Sequence, residues 1–228
     1  MFSQLDELEL NNKENVKIIL KVKELGYNII KRLFDVLVGM IGMIFVIIVA
    51  IIYKIIAIIT GDFKPIFYCQ NRIGKNGKEF KLYKFRTMIY NADEVLKELL
   101  KKSKYKKEWN KYQKLSNDPR ITKIGHILRK TSLDELPQFI NVLKGNMSLI
   151  GPRPLLKGEL DAHNGNHNIY EAVRPGISGW WASHGRSKTT YEERLELEYF
   201  YVKNKSLLLD LKCIFCTIKA VIWKSGAK

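Results

Sequence analysis

Lys31-Arg32-Leu33-Phe34-Asp35-Val36-Leu37-Val38-Gly39-Met40-Ile41-Gly42-Met43-Ile44-Phe45-Val46-Ile47-Ile48-Val49-Ala50-Ile51-Ile52-Tyr53-Lys54 is the stretch that decides the architecture. From Leu33 to Tyr53 only Asp35 is charged, and roughly 20 apolar residues suffice to cross the hydrocarbon core of a bilayer. Both flanks are basic: Lys31 and Arg32 precede the run, and Lys54, Lys64, Arg72 and Lys75 follow it. The positive-inside rule therefore gives no reason to put the ends on opposite sides, and a re-entrant helix over residues 31–62 satisfies both flanks. Gly39 and Gly42 are positions where such a helix can bend, or ordinary glycines at a close helix contact. Residues 1–30 form a polar lead of mixed charge without a signal-peptide pattern. Residues 63–228 then make a cytosolic domain.

Working outward, Ile66–Arg72 and Lys78–Phe85 flank Gly74-Lys75-Asn76-Gly77, and Asn-Gly is a strong hairpin signal. Asn91-Ala92-Asp93-Glu94 reads as a cap opening a helix with Leu96, Leu99 and Leu100 on one face. Residues 97–114 are rich in Lys with Tyr105, Trp109 and Tyr112 interleaved, which suits a headgroup-facing or solvated helix better than a base-stacking one. The apolar segment 206–223, with Lys212 and Lys219, suits an interfacial helix or one packed on the domain. The pattern gives an α+β or mixed α/β domain behind a membrane helix.

The 228 residues carry a formal net charge of +16, which implies an acidic partner: anionic lipid, a phosphorylated substrate or nucleic acid. Three cysteines, Cys69, Cys213 and Cys216, cannot all pair, and a reducing location fits. Cys213-x-x-Cys216 lacks a second Cys pair or His cluster and reads as two small apolar residues on a helix. His163-x-x-x-His167 encloses Asn164-Gly165-Asn166, a turn, so surface histidines are expected there rather than a metal site.

The chemistry is concentrated in Thr131-Ser132-Leu133-Asp134-Glu135-Leu136-Pro137-Gln138 and Gly151-Pro152-Arg153-Pro154. Ser132-x-x-Glu135 alone is a capping box. Pro137, however, fits best at the first helical position, which starts a helix there with Leu136, Phe139, Ile140 and Leu143 on its apolar face and Gly145 at its end. Asp134 and Glu135 then sit at a helix mouth, which favours phosphate, and a hard divalent cation lets two carboxylates coexist with it. Asp93-Glu94 lacks the proline and the arginines and serves as a control. Arg153 is held between two prolines and offers paired planar donors to phosphate.

These strings, with Lys31-Arg32-Leu33-Phe34-Asp35, Asn71-Arg72-Ile73-Gly74, Tyr83-Lys84-Phe85-Arg86-Thr87-Met88, Asn117-Asp118-Pro119-Arg120-Ile121-Thr122, Asn141-Val142-Leu143-Lys144-Gly145 and Arg174-Pro175-Gly176-Ile177-Ser178-Gly179-Trp180, resemble the bacterial sugar transferases, small monotopic phosphoglycosyl transferases. The resemblance implies transfer of a sugar 1-phosphate from a UDP-sugar to a polyprenol phosphate such as undecaprenyl phosphate, with Mg²⁺, on the cytoplasmic face of the bacterial inner membrane. It implies Asp134 as nucleophile of a covalent aspartyl-phosphosugar, Glu135 with the metal, and Lys84, Arg86, Arg129, Arg153, Arg174 and Arg186 as substrate contacts. Nucleic acid is not among the expected partners. Two departures stand out: Ile47-Ile48 replace the Ser-Pro pair that breaks the membrane helix in family members, and Trp180-Trp181-Ala182-Ser183-His184 replaces the commoner sequence before Gly185-Arg186. Two rivals use the same features, namely a membrane-bound metal-dependent phosphatase or pyrophosphatase and a membrane-tethered nucleic-acid-binding module.

Overall fold

The computed structural model describes residues 2–112, 114–184 and 189–222. Helix α1 (Phe2–Ile59) leads into an antiparallel hairpin, β1 (Phe67–Ile73) and β2 (Glu79–Phe85). Its turn is the expected one, with Asn76 at φ 58° and Gly77 at φ 71° in the left-handed region that Asn and Gly tolerate. Helices α2 (Ala92–Leu100), α3 (Ser103–Tyr112), α4 (Lys123–Thr131) and α5 (Gln138–Leu143) follow. Strand β3 (Ser148–Ile150) pairs in parallel with β4 (Gly176–Ser178), with α6 (His167–Tyr170) between them, and α7 (Trp180–His184), α8 (Tyr191–Asn204) and α9 (Leu207–Ile222) close the chain. The fold is the mixed helix and sheet arrangement expected, with a long apolar N-terminal helix.

The expected return turn inside that helix is not formed. Residues 21–59 make one apolar helix continuous through Ile47 and Ile48, which, unlike proline, keep their backbone donors. Its two basic flanks are reconciled differently. A narrow stripe of α1 docks along the domain: Asp35, Val46, Tyr53 and Ala57 are buried. Asp35 accepts from the Ser148 hydroxyl and the Leu149 N–H, Arg32 donates to the carbonyls of Val142 and Leu143 at the end of α5, and the Tyr53 hydroxyl donates to the Arg86 carbonyl. These ties run over about 30 Å of helix, at 1.5 Å per residue from Arg32 to Tyr53. Most of the remaining circumference is exposed apolar surface, including Leu37, Ile44, Ile51 and Ile58.

The glycines of α1 are packing residues. A Cβ on Gly42 would sit 2.5 Å from the Phe139 ring, and one on Gly39 would sit 2.9 Å from Leu143, so α1 and α5 meet where α1 has no side chains. Val46, Tyr53 and Ala57 share one core with Phe85 and Leu128, and Phe139 packs against it. The membrane helix thereby braces the element that begins just after Asp134.

Candidate active site

Ser132 is not the cap that the capping-box pattern suggests. It ends α4 in the left-handed region, at φ 57°, and makes no side-chain cap bond. Leu133–Glu135 then forms a single 3₁₀ turn, Pro137 stands at the mouth of α5, and Gly145 ends it at φ 79°. The backbone departs from regular α-helix at the two carboxylates. Glu135 Oε1 accepts from Lys84 Nζ at 2.7 Å while the Glu135 side chain stays 43% exposed. Asp134 is half-buried. Burial, and after it the neighbouring Glu135, raises its carboxyl above the usual range, while Lys84 and Arg129 pull it back. Arg129, exposed on the last turn of α4, is oriented by its Nε donating to the Thr87 hydroxyl at 2.9 Å. Asp134, Glu135, Lys84 and Arg129 therefore form one polar group drawn from the 3₁₀ turn, β2 and α4.

Arg153 is presented by its backbone. Its N–H donates to Glu198 Oε1 at 3.0 Å, its carbonyl accepts from the Tyr170 hydroxyl at 2.9 Å, and the Pro154 carbonyl accepts from Arg72 Nη1 at 3.0 Å. Three elements clamp the Pro-Arg-Pro segment and leave the Arg153 side chain 44% exposed. Burial pushes the fully buried Glu198 up to about 7, against the pull of the Arg153 N–H and of Arg194.

Two further candidates are placed elsewhere. Arg86 is buried and its guanidinium is engaged by the Pro65 carbonyl, the Met88 carbonyl and Asp62, so it ties the end of α1 to β2 rather than facing a ligand. Arg174 is exposed at the far end of α5, its Nε donating to the Gly145 carbonyl. Arg186 lies outside the described residues. Among those residues no cluster of three or more His, Cys, Asp or Glu has metal-site geometry. His167 bonds Asp161 and Glu171, His163 stacks on Tyr191, and the three cysteines are free, with Cys213 buried in α9. Asp93 lies exposed in the first turn of α2, away from any such arrangement.

Sequence reasoning missed Thr87, Tyr170 and Glu198. Tyr170 and Glu198 reach Arg153 from 17 and 45 residues away, and nothing local in their sequence marks them.

The family model described as "Bacterial sugar transferase" matches residues 26–224. The chain is 44% identical over 199 residues to a UDP-galactose-lipid carrier transferase of Erwinia amylovora, covering 87% of this chain and 41% of that protein. It is 46% identical over 170 residues to an undecaprenyl-phosphate galactose phosphotransferase of Salmonella typhimurium, covering 74% of this chain and 36% of that one. It is also 41% identical over 200 residues to the exopolysaccharide production protein ExoY of Sinorhizobium fredii, covering 87% and 88% of the two chains. The chain thus spans less than half the length of the first two and nearly all of the third. With the family match covering residues 26–224, well over half of its length, this chain belongs to the bacterial sugar transferase family.

Proposed function

We propose that this protein transfers a sugar 1-phosphate from a UDP-sugar to a polyprenol phosphate, undecaprenyl phosphate being the carrier in the names of its relatives, and so starts a surface polysaccharide. The observation that carries this reading is the 3₁₀ turn that sets a half-buried Asp134 beside Glu135, Lys84 and Arg129. An Asp134 carboxylate oxygen attacks the sugar-linked phosphorus, and the bond to the bridging oxygen breaks so that UMP leaves. An oxygen of the lipid phosphate then attacks the same phosphorus, which returns the Asp134 carboxylate and leaves a lipid diphosphosugar. Lys84 and Arg129 hold positive charge where the phosphate oxygens gather negative charge, and Arg153 supplies a planar fork for a second phosphate contact.

The donor set fits Mg²⁺, because burial and the adjacent Glu135 raise the Asp134 carboxyl, and the two carboxylates offer hard oxygens to a cation that tolerates one or two protein ligands. Asp134 and Glu135 would hold it, and when bound it neutralises phosphate charge.

We read the membrane geometry as in-plane. A domain docked along about 30 Å of α1 would be drawn into hydrocarbon by a helix standing upright, whereas a helix sunk within one leaflet buries its apolar face and leaves the domain in the cytosol. The test of the activity is UMP release by purified protein with polyprenol phosphate, Mg²⁺ and a panel of UDP-sugars. Release that needs Asp134 and the lipid is expected; free phosphate without lipid would instead favour a phosphatase.

A further inference from the structure

Behind Arg153 lies a charge arrangement that the chemistry at Asp134 does not use. Three guanidinium groups, from Arg72 on β1, Arg153 and Arg194 on α8, converge on the single carboxylate of Glu159. The separations are 3.9, 3.8 and 3.5 Å, all longer than the 2.7–2.9 Å of a charge-assisted hydrogen bond. Glu159 therefore neutralises the arginines without a short bond to any of them, and of Arg72 only Nε is left over, its Nη1 and Nη2 donating to the Pro154 carbonyl and Gln70 Oε1. Arg72 and Arg194 are both more than nine-tenths buried, and Arg72 Nε with Arg194 Nε and Nη2 find no hydrogen-bond partner among the described residues. Buried donors of this kind are costly to leave unmade. The second carboxyl nearby, Glu198, already accepts from the Arg153 backbone. Three fixed positive charges thus face the one carboxylate of Glu159, which is tethered by the Leu156 N–H at 2.9 Å and the Tyr191 hydroxyl at 3.3 Å rather than by the arginines, on a loop that turns at Gly158 with φ 75°.

The cluster also stands apart from the Asp134 turn while sharing a face with it. Lys84 pairs with Tyr68 and Arg72 pairs with Phe80, so Arg72 lies four residues, roughly 13 Å, along the same face of the hairpin.

We propose that Arg72, Arg153 and Arg194 form a phosphate-binding subsite in which Glu159 is the resident counter-ion that an incoming phosphate group displaces. The ligand chemistry is a phosphate oxyanion taken in bidentate fashion, which both a nucleotide and a lipid phosphate carry. The inference rests on the reading of Arg153 as a substrate arginine.

The test is equilibrium binding to the full chain in detergent, without Mg²⁺ or sugar donor, using inorganic phosphate, UMP and a short-chain prenyl phosphate in separate titrations. Glu159→Gln removes the competing charge and is expected to tighten phosphate binding by roughly tenfold, about 1.4 kcal/mol. Adding Arg153→Met to that variant is expected to abolish the gain. Unchanged or weakened binding by a folded Glu159→Gln protein overturns the proposal. If Glu159→Gln does not fold, Arg153→Met alone decides, because that side chain is half in solvent: a loss of tenfold or more supports the subsite, and unchanged binding overturns it. The UMP and prenyl phosphate titrations tell which substrate's phosphate is received. Phosphate binding that responds to Glu159 while no UDP-sugar yields UMP would defeat the proposed activity and leave the subsite standing. Normal UMP release with no response to Glu159 would do the reverse.

Discussion

At the scale of single residues, the distinction that matters is between arginines offered to a ligand and arginines engaged by the protein. Arg153 is offered, and Arg153→Lys is expected to lower kcat/KM for UMP release by at least roughly tenfold although charge is kept, since an ammonium cannot reproduce the paired donors. Near-normal turnover would show that Arg153 makes no bidentate contact. Arg86 is engaged, so Arg86→Met should lower the melting temperature by leaving Asp62 unpaired, a change read by thermal unfolding in detergent. Glu198 gives a pH signature. Its folded-state value near 7 lies above the ordinary carboxyl value of 4.5, so between those limits the fold holds a proton that the unfolded chain has lost. This group's contribution is therefore full below pH 4.5 and is lost as pH rises through 7, by about 3 kcal/mol at most. Tyr170, Arg153 and Arg194 face it. Glu198→Gln, which can still accept from the Arg153 N–H, should remove that part of the slope of melting temperature against pH from 5 to 7, and an unaltered slope would assign it to other groups. The residues of the Asp134 turn were legible in the sequence because Pro137 and the two carboxylates are contiguous. Glu198 and Tyr170 were not, because their roles arise from contacts made across the fold.

At the scale of elements, local chemistry was readable wherever the pattern and the constraint coincide. Asn76-Gly77 forced the hairpin turn, and Pro137 and Gly145 bounded α5. Ser132 to Glu135 carries a pattern that two structures can use, and the helix ending at Thr131 took Ser132 for its own terminus. The three-residue parallel pair of β3 and β4 is too short and too non-local to leave a periodic trace. Helix α1 shows most clearly what periodicity omits: its length and apolarity were evident, but its partner was not, because the contact is made through glycines. Gly42→Ala places a methyl group inside the Phe139 ring contact and should cost on the order of 1–3 kcal/mol, read as a fall in melting temperature with a parallel loss of activity. Spin labels at positions 37, 44, 51 and 58, seven residues apart on the exposed face, should report one depth in a reconstituted bilayer. A maximum at the middle positions with shallow ends would establish a crossing helix and overturn the in-plane geometry.

For the whole molecule, the apolar helix, the core around α5 and the Asp134 turn form one mechanical chain. Docking of α1 through Arg32 and Gly42 fixes α5 and through Tyr53 fixes the end of β2, and α5 follows the turn that carries Asp134, so the apolar helix also sets the proposed nucleophile. In the proposed reaction that coupling would build the site at the membrane, where a lipid phosphate and a cytosolic nucleotide sugar can meet. Everything in this reading turns on a covalent step at one carboxylate. The decisive measurement is intact-protein and peptide mass spectrometry after incubation with Mg²⁺ and an accepted UDP-sugar, with polyprenol phosphate withheld. A mass gain of one sugar phosphate on the peptide bearing Asp134, absent in Asp134→Asn and present in Asp93→Asn, is the expected result. UMP release with no adduct, or an adduct on any other residue, would contradict it.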